Sequence, residues 1–405
     1  MNTASEIIRI AAKGDGLSAD GRHVAGAVPG DVLQSDGTLK HGPHHVKPVC
    51  RHFGKCGGCQ LQHVDEETLR DFVTSRVSNA AEGQDIAVGE LLPTHLSPPR
   101  SRRRATLCAI SRGGKPQLGF REAGSHRIVD LTECQILTES LFSVAQALRT
   151  ILARRKGKLA VDIELTDTDQ GVDCSLKNLP IEGLEQTEKI LDFAREQGLA
   201  RLTLDQGYGP ETLWEPEPVT VTLSGVPVGF PSGGFLQATV DGEDVLAGDA
   251  RAWLSGAAVV ADLFSGLGTF AFALAGRTKV LAAEAARDTH LACQMAARAT
   301  GKPVHPIHRD LFRNPLQLEE LNKFSAVLLD PPRAGARDQV ELLAQSTVAK
   351  IVYISCNPSS WARDSKRLIE GGYTLQKLRP VGQFRWSTHV ELSSLFVREE
   401  DDSAA

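Results

Sequence analysis

The chain has 405 residues, room for two or three domains, each with its own core. Hydrophobic residues at 41% and charged residues at 23% are the balance of a soluble globular protein, which excludes a disordered or fibrous chain. The net charge of -5 excludes a global attraction to anionic partners, so any such attraction has to be local.

Met1 to Glu6 contains no basic region followed by an apolar stretch, and no apolar run approaches the ~18 residues of a membrane helix. The eight cysteines cluster unevenly, as reduced thiols and metal ligands do, and do not read as a disulfide framework. A cytoplasmic protein without membrane contact is expected.

Residues 5–33 read as short strands broken by glycine turns, with Ile7-Ile8-Arg9-Ile10 the first apolar run. A Gly/His/Pro-rich connector, 37–48, has the composition of a loop. Four thiols come next: Cys50, Cys56 and Cys59 in a glycine-rich segment, and Cys134 far downstream. Four cysteines suit either a [4Fe-4S] cluster or a zinc site, and His52 and His63 keep zinc open. The spacing is not Cys-x3-Cys-x2-Cys, which argues against radical chemistry. Cys108, Cys174 and Cys293 are expected to be buried small apolar residues.

Helical spacing covers Glu66 to Ala81. From Leu92 to Val228 the pattern is mainly strands, with one helix over Leu184 to Gly198. Within it, Arg100, Arg102, Arg103, Arg104, Arg112, Lys115, Arg121 and Arg127 concentrate positive charge, with Glu122 the only acid among them. In an acidic protein, that is an electrostatic footprint for phosphate.

Beyond Phe235 strands and helices alternate, which predicts a doubly wound α/β domain. Its strands are expected at Val259–Leu263, Val280–Ala283, Val304–His308, Ala326–Leu329, Ile351–Ser355, Leu375–Pro380 and Val390–Val397. The acidic tail Glu399 to Ala405 is expected to lie outside it. Ser265-Gly266-Leu267-Gly268-Thr269 forms its first strand-to-helix turn, where backbone approaches a ligand closely. Glu284 ends the second strand, where an acid accepts hydrogen bonds from ribose hydroxyls. The missing third glycine, with Asp310 ending the third strand, tilts the choice from a dinucleotide toward S-adenosylmethionine. Asp330-Pro331-Pro332-Arg333 ends the fourth strand, and Ser355-Cys356-Asn357-Pro358 the fifth. A thiol at the carboxyl end of a parallel strand is placed to be a nucleophile.

Together with His389-Val390-Glu391 before the last strand, these motifs resemble the S-adenosylmethionine-dependent RNA 5-methyluridine methyltransferases. The chain is most similar to their iron-sulfur, 23S rRNA-modifying branch, over nearly its whole length. The resemblance implies a class I, seven-stranded Rossmann-like methyltransferase domain at 231–405. Before it would come a central α+β domain with the iron-sulfur site at 47–230, and a truncated TRAM-like β segment at 1–46. It implies Cys356 as nucleophile and Glu391 as proton acceptor, with Gln237, Phe264, Thr269, Glu284, Asp310 and Asp330 on the methyl donor. Cys50, Cys56, Cys59 and Cys134 would hold a structural [4Fe-4S] cluster. The partner implied is RNA, foremost 23S rRNA, bound by a monomer. A uridine of tRNA as the target, RNA cytosine C5 methylation and a non-catalytic, RNA-binding role in ribosome assembly are the competing readings. Three points stand out against the family pattern: Thr269 replaces a frequent asparagine, 381–389 lacks the usual Asp-Met-Phe-Pro, and Arg333 stands where amino-group methyltransferases carry an aromatic residue, which favours methylation on carbon.

Overall fold

The computed structural model describes residues 4–112, 115–153, 158–276 and 278–398. The tail Glu399 to Ala405 lies outside the described residues, as does the side chain of Arg112.

Ser5–Ile10 is the middle of a five-stranded sheet ordered His23–Val24, Gly16–Ser18, Ser5–Ile10, Val32–Leu33, Leu39–Lys40. Leu39–Lys40 lies within the stretch expected to be loop; it pairs antiparallel with Val32–Leu33. The cysteine segment follows directly, and Asp65 then caps the helix Glu66–Glu82 by accepting from Thr68 N–H.

The central region holds a six-stranded sheet: Pro210–Trp214, Arg201–Asp205, Gly171–Lys177, Lys158–Thr168, Arg104–Arg112, Gln117–Gly119. In Lys158–Thr168 burial alternates, Leu159, Val161, Ile163 and Leu165 pointing inward. That face packs with the helices Glu139–Ala153 and Gly183–Glu196. The opposite face carries Thr106, Cys108, Asp162, Glu164 and Thr166. Cys174 and Cys293 are buried as expected, but Cys108 is not: it is half-exposed, and its Sγ donates to Asp162 Oδ1 at 3.2 Å. Its neighbours on that strand face explain this, because no helix covers them.

All seven expected strands of the C-terminal region form one sheet. Its order is Val304–His308, Lys279–Glu284, Val259–Leu263, Ala326–Leu329, Lys350–Ser355, Glu391–Arg398, Tyr373–Gly382. The first five are parallel, and Val259–Leu263, Ala326–Leu329 and Lys350–Ser355 read clearly in the sequence because they are near-continuous apolar runs buried on both faces, whereas Val304–His308 at the edge is only partly buried. Glu391–Arg398 runs antiparallel between its two neighbours. Two short strands from upstream, Glu90–Leu91 and His95–Leu96, pair parallel with Tyr373–Gly382 and extend the sheet.

Candidate functional site

The nucleophile candidate sits where three local signals meet. The strand Lys350–Ser355 ends one residue before Cys356; Asn357 Oδ1 accepts from Ser359 N–H at 3.1 Å; Pro358 starts the helix Pro358–Glu370. Asn357 Nδ2 also donates to the Arg333 carbonyl at 2.9 Å, tying the thiol's turn to the Asp-Pro-Pro-Arg turn. Ser355 pairs with Leu392 on the antiparallel neighbour, so that Glu391 begins its strand at the edge where Cys356 follows its own. Cys356 and Glu391 line one cavity of about 730 Å³, together with Arg102, Arg104, Glu164, Phe235, Arg333 and His389.

Burial governs the chemistry of the pair. Glu391 is 6% exposed, and its carboxyl is pushed up to about 8 by burial first and the Asp330 charge second. Cys356 is pushed up to about 11 by burial, then by Glu391 and Asp330, with Arg333 pulling the other way. Asp330 is raised to about 7 by burial.

The expected cofactor residues stand on the neighbouring strand ends. Phe264 takes a left-handed backbone, φ 65°, costly for a non-glycine residue and retained where a loop must turn sharply. Gly268, φ 88°, could not be anything larger: a Cβ there would lie 2.7 Å from Cys293 Sγ. Thr269 opens the helix Thr269–Leu274 just after it. Glu284 accepts from Gly266 N–H at 2.9 Å and Ala286 N–H at 2.6 Å, which ties the end of its strand to the glycine loop. Asp310 Oδ1 accepts from Phe312 N–H at 3.0 Å. Gln237 Nε2 donates to Asp330 Oδ2 at 3.4 Å, across 93 residues of chain.

Two residues at this site carried no sequence signal. Gln383 lies in the divergent stretch 381–389; its Nε2 donates to Gln237 Oε1 at 3.0 Å, and its Oε1 accepts from Ala238 N–H at 3.0 Å. It also hydrogen-bonds Glu391, which lowers that carboxyl against the larger effect of burial. The divergent loop therefore still braces the acid. Asp262 is fully buried, with no partner for either oxygen among the described residues, and its carboxyl is raised well above the usual range by burial and by Asp330.

The four cysteines of the candidate metal set do come together. Cys50, Cys56, Cys59 and Cys134 are free thiols that line one small cavity walled by Phe53, Phe120, Leu131 and Ile136. Burial raises all four, Cys59 to about 12. Among the described residues no three His, Cys, Asp or Glu side chains gather closely enough to hold a single metal ion.

The basic run divides. Arg103 is buried and pairs with Glu243 at 2.5 Å, while its Nε donates to the Gln237 carbonyl at 3.0 Å; it holds protein to protein. Arg102 lies beneath the rings of Phe120 and Phe384, at 5.9 and 5.3 Å from their centroids. Arg104 and Arg102 reach the cavity lined by Cys356 and Glu391, and Arg121 remains exposed beside it.

Residues 306–399 match the tRNA (Uracil-5-)-methyltransferase family. An uncharacterized RNA methyltransferase of Zymomonas mobilis is 50% identical over 97% of this chain and 99% of its own. A 23S rRNA (uracil(1939)-C(5))-methyltransferase of Alteromonas naphthalenivorans is 29% identical over 99% of this chain and 91% of its own. The solved Pyrococcus abyssi tRNA (uracil-54, C5)-methyltransferase, in complex with S-adenosyl-L-homocysteine, has a TM-score of 0.75 at 21% identity, covering 98% of this chain and all of its own. This last likeness establishes the α/β methyltransferase fold. With half its residues shared across nearly the full length of the Zymomonas relative, the chain belongs to the RNA methyltransferase family.

Proposed function

We propose that the chain transfers a methyl group from S-adenosylmethionine to C5 of a uridine in 23S rRNA, through a covalent bond from Cys356 to C6. The observation that carries this reading is the shared cavity of Cys356 and Glu391 at the ends of adjacent antiparallel strands. Uracil C5 is too weak a nucleophile to take a methyl group unaided. Addition of the Cys356 thiolate to C6 moves the C5–C6 electron pair toward O4 and makes C5 an enolate carbon. S-adenosylmethionine supplies an electrophilic methyl on a positively charged sulfur. Glu391 takes the C5 proton after the transfer, the electrons of that bond restore C5=C6, and the bond to Cys356 breaks.

The acid-rich pocket fits the donor. Asp262, Asp330 and Glu391 are all raised, and a bound sulfonium and ammonium would relieve the crowding that burial and mutual repulsion create. The 23S assignment rests on the Alteromonas relative, which matches over 99% of this chain and 91% of its own. An RNA substrate of that kind implies the cytoplasm; no described helix is long and apolar enough to cross a membrane.

We read the four-cysteine cavity as the seat of a structural [4Fe-4S] cluster. Four thiols round one cavity are the ligand number that such a cluster takes.

The test is methyl-labelled S-adenosylmethionine with 23S rRNA and purified protein, followed by nucleoside analysis. 5-Methyluridine is expected from the native protein and none from Cys356→Ala. RNA carrying 5-fluorouridine, which has no C5 proton to lose, should remain bonded to the native protein and not to the variant. Label that persists in Cys356→Ala would sink the covalent mechanism.

A further inference from the structure

Glu391 begins its strand at the end of a hairpin loop. Val381 and Glu391 are the last pair of two antiparallel strands, and 382–390 joins them. Phe384, Ser387, Thr388 and His389 of that loop line the cavity of Cys356 and Glu391, and Gln383 hydrogen-bonds the acid itself. The place of the loop therefore sets the surroundings of the acid.

The apex of the loop is held from outside. Ser387 N–H donates to the Phe384 carbonyl at 2.9 Å, closing a turn whose third residue, Trp386, has φ 58°. Glycine is usual at such a place, and a bulky side chain there is strained. The Trp386 carbonyl accepts from Gln60 N–H at 2.8 Å and from Leu61 N–H at 2.9 Å, the two residues directly after Cys59. Gln60 Nε2 donates to the Gly57 carbonyl at 2.7 Å, which ties this grip back into the cysteine segment. Arg385, 4.9 Å from the Trp386 ring, donates to the Ser97 carbonyl at 3.0 Å and to Glu66 at 2.8 Å. A further thread is Arg102. It lies between Phe120, which walls the thiol cavity, and Phe384, which lines the cavity of Cys356.

On the reading of Glu391 as the base, we propose that the cysteine segment is a positioning element of the methyl-transfer site. It grips the loop before Glu391 through Trp386, so that the integrity of the four-thiol site governs release of the RNA. After methyl transfer, C5 carries both the methyl group and its proton, and C6 is still bonded to Cys356 Sγ. Glu391 must take that proton before the electrons can restore C5=C6 and expel the thiolate. Thiol addition and methyl transfer precede this step and do not use the acid. A base displaced by about 1 Å slows its own step by about a hundredfold, and the RNA stays bonded to the protein.

The test uses the full chain purified without oxygen, native or carrying Arg385→Met, Cys134→Ser or Glu391→Gln. Amide hydrogen exchange, read without RNA, should be about tenfold faster across 382–390 in Arg385→Met and in Cys134→Ser, the worth of one or two lost hydrogen bonds. Exchange in the strand Val259–Leu263 should not change, whereas a fold that is weakened throughout would quicken there too. With 23S rRNA and methyl-labelled donor, labelled protein–RNA adduct that survives denaturing electrophoresis should accumulate in both variants, toward the level in Glu391→Gln. A protein that is merely less stable makes less adduct.

Loop exchange unchanged in Cys134→Ser would overturn the link to the thiols. Adduct no higher than native in both variants, with Glu391→Gln accumulating it, would overturn the positioning role. No adduct in Glu391→Gln would strike the proposed mechanism instead, and loop exchange quickened in both variants would leave the grip itself standing.

Discussion

Glu391 cannot accept a proton while it holds one, and in the free protein its carboxyl titrates near 8. The value of kcat/KM, which reports the free enzyme, should therefore climb about a hundredfold per pH unit well below 8, where carboxyl and thiol both still hold protons, and about tenfold per unit above it, as the thiol pushed to about 11 continues to ionise. A profile flat from pH 6 to 9 would exclude Glu391 as the base. The same burial has a stability consequence with a defined sign. A carboxyl raised from its ordinary 4.5 to about 8 binds its proton more tightly in the folded state, so the fold loses stability as pH rises across that window. Glu391→Gln, which keeps the bond partner shape without the charge, should flatten the fall in Tm between pH 6 and 8. Cys356, Asp330 and Glu391 were legible because each ends or begins an apolar run. Gln383 and Asp262 were not: what marks them is burial and a partner far along the chain, and neither leaves a local pattern.

The cysteine segment shows which elements a sequence betrays. Cys50, Cys56 and Cys59 announce themselves by spacing, and Cys134 joins them only because the chain returns past Leu131, whose side chain walls the same cavity. Gln62 helps: its Oε1 accepts from Cys50 N–H at 3.0 Å, bracing the loop against itself. If the cavity seats a cluster, protein purified without oxygen should contain about four irons and matching sulfide per chain. Cys134→Ser should lose them and lower Tm by several degrees, since a bound group that the unfolded chain cannot hold adds to stability. Stoichiometric zinc in place of iron would overturn that reading. The strands of the C-terminal sheet were placed to within a residue or two, most plainly at Val259–Leu263, Ala326–Leu329 and Lys350–Ser355, where both faces are buried and the runs are largely apolar. The strand Leu39–Lys40 escaped notice since two residues on an edge need no such run.

At the scale of the whole chain, Arg103 joins the central region to the catalytic sheet. Its N–H donates to the Ala238 carbonyl at 3.0 Å, its Nε to Gln237, and its Nη2 to Glu243 on the helix Val240–Trp253. Arg103→Ala would strand a buried carboxylate, a loss of about 3–5 kcal/mol. Denaturant titration should show the unfolding free energy in water falling by that margin, and the KM for the methyl donor should rise because Gln237 loses its anchor. A change confined to RNA affinity would return Arg103 to the phosphate-binding set in which the sequence alone places it.

The two short strands at 90–96 bear on how the protein is made. They are synthesised almost three hundred residues before their partner, Tyr373–Gly382, whose outer edge they seal. On the ribosome the early half emerges with its contribution to the later sheet already in hand, waiting for a strand that is made almost three hundred residues later. A C-terminal half expressed alone would have an open strand edge ready to pair with another copy of itself. Completing the catalytic sheet is therefore also what protects the newly made chain from self-association.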